Sequence, residues 1–128
     1  MTEYVTTADA LFFHKVLIER YGGSSGIRDI GALESALHRP QTGYYDSIPH
    51  EAAALFESLI KNHPFIDGNK RVAFAVVDVF LKINGYRITL DSKSIHDYMM
   101  ALFEQHKFDI EHLAPWLQSI VQTGVDRT

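Results

Sequence analysis

The sequence predicts an all-α fold, about six helices packed around one buried central helix. Three observations carry this expectation. Apolar residues recur at 3.6-residue spacing along most of the chain, between capping residues and Gly or Pro stops. The stretch from Asn69 to Asn84 is apolar on all sides, which marks a helix buried at the centre of a core. Extended character is confined to the short run Tyr86 to Leu90.

The first helix is expected from an N-cap at Thr6 or Thr7 to a stop at Gly22, with Leu11, Phe12, Val16 and Leu17 as its apolar stripe. Gly22 to Gly26 reads as a loop, and Gly31 to Leu37 as a short second helix that ends before Pro40. A polar aromatic loop, Gln41 to Ser47, contains Tyr44 and Tyr45. The third helix opens with Ser47 as N-cap and Pro49 in its first turn, buries Ala53, Leu55, Phe56, Leu59 and Ile60, and stops near His63-Pro64. The fourth, from about Asn69 to Asn84 with Gly85 as its stop, is the central one. Ser92 or Ser94 should cap a fifth helix holding Ile95, Tyr98, Met99, Leu102 and Phe103. A last helix, Asp109 to Val121, turns Ile110, Leu113, Trp116, Leu117 and Ile120 inward, and Pro115 should delay or kink it.

The 128 residues form a single expected domain, 1–128, large enough to bury about two thirds of its unfolded surface. With 46% hydrophobic and 22% charged residues, disordered and fibrous classes are excluded. The absence of cysteine removes disulfides, thiol catalysis and cysteine-based zinc sites, and it suits a cytoplasmic location. Twelve basic against sixteen acidic residues give a net charge of −4, so nucleic acid is not an expected partner, although a local basic site fits. No membrane association is expected either: the run Val72 to Val77 is cut by Asp78, and the amino terminus lacks the pattern of a signal peptide.

The informative segment is His63-Pro64-Phe65-Ile66-Asp67-Gly68-Asn69-Lys70-Arg71, which spans a helix–helix loop and the first turn of the fourth helix. Cations there oppose the helix dipole by about 0.3–1 kcal/mol each, so Lys70 and Arg71 stand where Asp or Glu would be favoured. A bound anion resolves the conflict, because backbone N–H groups, Lys70 and Arg71 can all face one phosphate. Gly68 removes a side chain where a ligand approaches the backbone. Asp67 offers an oxygen ligand suited to Mg²⁺, and His63 can accept a proton near neutral pH. Base, metal ligand and phosphate cradle are the parts that phosphoryl transfer requires. The plainer alternative has Asp67 capping the helix, Lys70 and Arg71 pairing with surface acids, and His63 merely ending a helix.

This nine-residue segment resembles the core motif of the Fic/Doc superfamily, whose Fic branch reads H-P-F-x-D/E-G-N-G-R-x-x-R. Lys70 replaces its last glycine and Phe74 its final arginine, and both departures resemble the death-on-curing (Doc) toxins. The blocks Arg20-Tyr21-Gly22-Gly23, Gly26-Ile27-Arg28-Asp29, Leu33 to Leu37 and Arg39-Pro40-Gln41 are Doc-like in order and spacing. The resemblance implies a toxin of a toxin–antitoxin system that uses ATP and Mg²⁺. It implies transfer of the γ-phosphate to a Thr or Ser hydroxyl of a translation factor such as elongation factor Tu, halting translation. Carried over, His63 is the base, Asp67 the Mg²⁺ ligand, and Asn69 with the backbone after Gly68 holds phosphate, clamped by Lys70 and Arg71. Tyr44 and Tyr45 lie where the superfamily has a target-binding flap; a solvated connector is the equal alternative. Pro64 and Gly68 are more Fic-like, which keeps AMP transfer to a protein hydroxyl open. A catalytically silent nucleotide- or antitoxin-binding module is the non-enzyme alternative. Ser47 and Glu51 have the spacing of a Fic self-inhibitory motif, but Ala52 breaks it, so a separate antitoxin is the expected inhibitor, lying in an apolar groove.

Two weaker signals are discounted. Gly22 to Gly26 matches G-x-S-x-G, but a helix precedes it where a nucleophile elbow needs a strand. The seven histidines show no metal-ligand spacing, and His14, His38, His50, His96, His106 and His112 are expected at the surface or on helix flanks. Asp78 and Lys82 should form an i,i+4 pair.

Overall fold

A computed structural model describes residues 1–124. Its helices are α1 (Thr7–Tyr21), α2 (Ile30–His38), α3 (Ile48–Asn62), α4 (Asn69–Ile83), α5 (Ser92–Glu104) and α6 (Ile110–Ile120). A 3₁₀ turn, Arg39–Thr42, continues α2 into the segment expected to be loop. Strand β1 (Tyr86–Ile88) pairs antiparallel with β2 (Val121–Thr123), Arg87 opposite Gln122. The expected all-α class holds; Val121, expected as the last residue of the final helix, opens β2 instead.

Local chemistry sets most boundaries. Thr6 and Asp9 form a capping box at the start of α1, satisfying two backbone N–H groups reciprocally. Ser47 accepts from the His50 N–H at the start of α3. At α5 the cap is Asp91, not Ser92 or Ser94: its carboxylate takes the Ser94 N–H. Asp109 caps α6, which starts on time and runs through Pro115. Pro115 and Glu111, whose carbonyl it leaves without a helical N–H, are both exposed, so water can take that carbonyl.

The core is centred on α3 and α4. Helix α3 packs against α2, α4 and α6 through Ala52, Ala53, Leu55, Phe56 and Leu59, all essentially inaccessible. Helix α4 buries Val72, Ala73, Val76, Val77, Phe80 and Leu81 along one broad face. Its remaining apolar residues diverge: Ile83 is 46% exposed, and Phe74 is half-buried beside a cleft. Trp116 stacks on Tyr98 at 4.5 Å, joining α6 to α5.

Helix α1 is phased differently from its expected stripe. Phe12 is 61% and Val16 38% exposed, while Ala10, His14 and Ile18 face the core. The expected surface residue His14 is therefore buried. A count of apolar residues passes over the 10–14–18 row because a histidine stands in its middle.

A polar hub ties the 3₁₀ turn to α3 and α6. Arg39 Nη1 donates to Glu57 Oε1 at 2.6 Å and to Ser58 Oγ at 2.9 Å, while the Ile110 N–H donates to Glu57 Oε2 at 2.9 Å. Burial alone would raise the Glu57 carboxyl; the hydrogen bonds from Arg39 and Ile110 and the charge of Lys61 hold it below the usual range. At the far end of α4, Asn84 exchanges two 2.8 Å hydrogen bonds with the backbone of Glu3, and the Gly124 N–H donates to the Gly85 carbonyl at 2.9 Å. Asp78 and Lys82 form the expected pair at 2.9 Å.

Candidate active site

The segment between α3 and α4 turns sharply at His63, whose φ of 50° and ψ of 56° are left-handed and uncommon for a non-glycine residue. Pro64 then prevents any continuation of the helix. The turn is held from outside. Arg28 Nε donates to the His63 carbonyl and Nη2 to the Asn62 carbonyl at 2.6 Å, taking up the last carbonyls of α3. The backbone N–H groups of Arg28 and Asp29 both donate to the Pro64 carbonyl, and the Ile66 N–H donates to Gly26, so Ile27 and Phe65 form a short antiparallel bridge.

The loop is also held from within. Asn69, 8% exposed, accepts from the Phe65 N–H at 3.0 Å and donates to the Phe65 carbonyl at 2.8 Å. Phe65 is fully buried, as expected of an anchor. The Asp67 carboxylate accepts from the Gly68 N–H at 2.9 Å and the Ser24 N–H at 3.2 Å. Gly23 packs so closely that an added Cβ would come within 2.7 Å of Asp67 Oδ2. The glycine-rich loop after α1 is thus the seat of Asp67.

Gly68, at φ 78°, is the N-cap of α4 and supplies no side-chain cap. Helical bonding begins with the Val72 N–H to the Gly68 carbonyl. Among the described residues the N–H groups of Asn69, Lys70 and Arg71 therefore lack an internal acceptor, and α4 begins with its positive dipole end open. Asp67 does not cap the helix, because its oxygens are engaged before the helix starts.

Nor do the two cations pair with acids. Among the described residues no carboxylate forms an ion pair with Lys70 or Arg71. Each rests on an aromatic ring instead: Lys70 Nζ lies 4.6 Å from the centre of Phe103, and Arg71 Cζ 4.9 Å from that of Tyr21. A ring face holds a cation without cancelling its charge, so both stay available to an anion. His63, Asp67, Lys70 and Arg71 line one cleft of about 560 Å³, with Phe74 on α4 and Met99 on α5 on its apolar side.

The donor set fits Mg²⁺ shared with phosphates. Among the described residues no three His, Cys, Asp or Glu side chains cluster into a protein cage. A single carboxylate beside open N–H groups suits an ion that takes its other ligands from phosphate and water.

The cleft brings together His63, Asp67, Gly68, Asn69, Lys70 and Arg71. The carboxamide of Asn69 is committed to the Phe65 backbone, and among the described residues its own N–H has no internal acceptor. Tyr44 and Tyr45 do not line the cleft. Tyr44 is 84% exposed, and the Tyr45 hydroxyl accepts from Arg39 Nε at 2.8 Å while its ring meets His50 edge-on. Sequence reasoning missed Arg28, His14, Tyr21 and Phe103 as supports of the site. Arg28 and Tyr21 lay in blocks already singled out, but nothing in the sequence showed which carbonyls or cations they would reach.

The chain is similar in sequence to known proteins. The chain is 42% identical over 96 residues to "Toxin Doc" of Mycolicibacterium smegmatis, covering 71% of this chain and 72% of that protein. It is 30% identical over 98 residues to "Protein kinase doc" of Escherichia phage P1, covering 73% and 77%. The sequence model of the Fic/DOC family matches residues 4–81, from before α1 through nearly all of α4 and so across the whole motif loop. The chain belongs to the Fic/DOC family.

Proposed function

We propose that the protein is the toxin of a toxin–antitoxin system, a protein kinase that transfers the ATP γ-phosphate to a Ser or Thr hydroxyl of a translation factor resembling elongation factor Tu. The carrying observation is the open start of α4, where Lys70 and Arg71 rest on aromatic rings without a carboxylate partner. The names of the two relatives, a toxin and a protein kinase, are the second support. Lys70 in place of the Fic glycine and Phe74 in place of the last Fic arginine favour phosphate over AMP as the group transferred.

His63 accepts the proton of the target hydroxyl as its oxygen bonds to phosphorus; the P–O bond to the leaving nucleotide breaks, and ADP departs with the electron pair. The grip of Arg28 on the carbonyls of Asn62 and His63 fixes the backbone from which that imidazole extends. The open N–H groups of α4, with Lys70 and Arg71, hold the nucleotide phosphates. Asp67 would hold Mg²⁺, which would supply positive charge to offset that of the phosphates. A separate antitoxin is the cognate partner.

The test supplies ATP labelled at the α- or the γ-phosphate, in parallel, to purified protein, Mg²⁺ and a bacterial translation lysate. Label on a protein band from γ-ATP alone is expected, and it should vanish in His63→Ala with melting temperature unchanged. Label from α-ATP alone would make the protein an AMP transferase. No label from either, with ATP raising the melting temperature, would leave a nucleotide-binding module.

A further inference from the structure

Asp67 and Gly68 share one peptide unit, and both ends of it are held. At one end His14 Nε2 lies 2.9 Å from the Asp67 carbonyl oxygen. At the other, the Gly68 N–H donates to Asp67 Oδ1. A carbonyl only accepts, so His14 is the donor, and its ring carries a proton on Nε2. That ring is fixed in place. It is 5% exposed and stacks on Phe65 at 3.9 Å with the two planes 8° apart.

The arrangement opposes a peptide flip. Rotating the 67–68 plane would exchange carbonyl for N–H and carry Gly68 out of φ 78°, ψ 15°. Glycine does not resist this by itself, because it populates both signs of φ about equally. The same rotation would break the Gly68–Oδ1 bond, loosen the Asp67 carboxylate and re-aim the open N–H groups of the first turn of α4.

We propose that His14 is a positioning residue: by holding the Asp67–Gly68 peptide plane from behind the cleft, it fixes both the Asp67 carboxylate and the open N–H groups of α4. What those groups bind rests on the function proposed above; the latch itself does not. Two attributes are required at this position, a flat ring for Phe65 and an N–H for Asp67, and imidazole combines them in a side chain that fits between α1 and the loop.

His14→Phe keeps burial and stacking but removes the donor. His14→Gln keeps a donor and removes the stack. In wild-type protein, long-range ¹H–¹⁵N NMR should show a proton on His14 Nε2; a ring with its proton on Nδ1 alone overturns the proposal whether or not either variant folds. The Gly68 amide, held by Asp67 Oδ1, should exchange with solvent about tenfold faster in His14→Phe, with the amides of α6 unchanged; an equal rate at Gly68 overturns it. Mg·ATP affinity, by calorimetry, should fall about tenfold in His14→Phe, the scale typical of supports behind metal ligands. His14→Gln should lie nearer wild type, and kcat at saturation should change far less than KM. Unchanged affinity in His14→Phe, or a larger loss in His14→Gln, overturns it. Wild-type protein that binds no Mg·ATP would refute the proposed function, while the tautomer and exchange measurements would still decide the latch.

Discussion

Helices α3 and α4 have the same length and pack against each other, yet they begin in opposite ways. The start of α3 is finished by its own sequence: Ser47 takes the His50 N–H, Pro49 needs no acceptor, and Glu51 places an acid at the positive end of the dipole. The start of α4 has no side-chain cap and no acid, only Lys70 and Arg71. Helix α6 follows the first pattern and adds a borrowed acid, Glu57, on its first N–H. A helix start that serves stability is closed by its own residues. The start of α4 is left open, as the proposed phosphate binding requires, and the loop before it is held by the contacts of Arg28, His14 and Asn69.

Making α4 resemble α3 should be the strongest way to break this contrast. Lys70→Glu puts an acid in the first turn. It should lower Mg·ATP affinity at least about 100-fold, since a charge-assisted hydrogen bond is lost and a repulsion gained. The fold should gain a few tenths of a kcal/mol from the helix dipole. Calorimetry and thermal melting on one sample would read both, and affinity within about threefold of wild type would refute the phosphate site.

The borrowed acid of α6 gives the next largest effect. Glu57→Ala strands Arg39 and the Ile110 N–H and should cost about 2 kcal/mol by urea unfolding. Because the folded Glu57 carboxyl lies below its ordinary value, its contribution is complete above about pH 4.5 and fades as pH falls toward the folded value. Wild type should therefore lose more stability than Glu57→Gln between pH 5 and pH 3, with the variant already weaker at pH 7. Parallel curves would show that Glu57 carries no such linkage.

The smallest effects sharpen the comparison. Ser47→Ala should cost about 1 kcal/mol of stability and leave protein labelling unchanged. Gly68→Ala should cost a similar amount, about 1 kcal/mol, from its left-handed φ, and its Cβ would press on Ile18 Cδ1 at 3.2 Å. Labelling should fall with it, because the peptide that aims the open N–H groups is disturbed. Equal labelling in the two variants would remove the distinction between the two helix starts.

What was legible in the sequence follows the range of the interaction. Thr6, Ser47 and Gly22 act within four residues, so the bounds of α1 and α3 could be read directly. The motif was legible because its parts are contiguous and because Lys70 and Arg71 violate a local rule. The supports were not legible, because each acts across the chain: Arg28 reaches Asn62 and His63, and His14 reaches Asp67. The β1–β2 ribbon depends on partners 35 residues apart at Arg87 and Gln122. The inverted phase of α1 has the same origin, since only the loop that receives His14 explains why a polar residue lies in the core row.

The paired hydrogen bonds between Glu3 and Asn84, together with that from Gly124 to Gly85, bring both ends of the described chain to one corner, at the C-terminal tip of α4. The cleft opens at the other tip, about 20 Å away along a helix of this length. Fluorophores or affinity handles fused at either end would leave the cleft unobstructed, and a short linker could join the ends in a circular permutant reopened at the exposed Thr42–Gly43–Tyr44 turn.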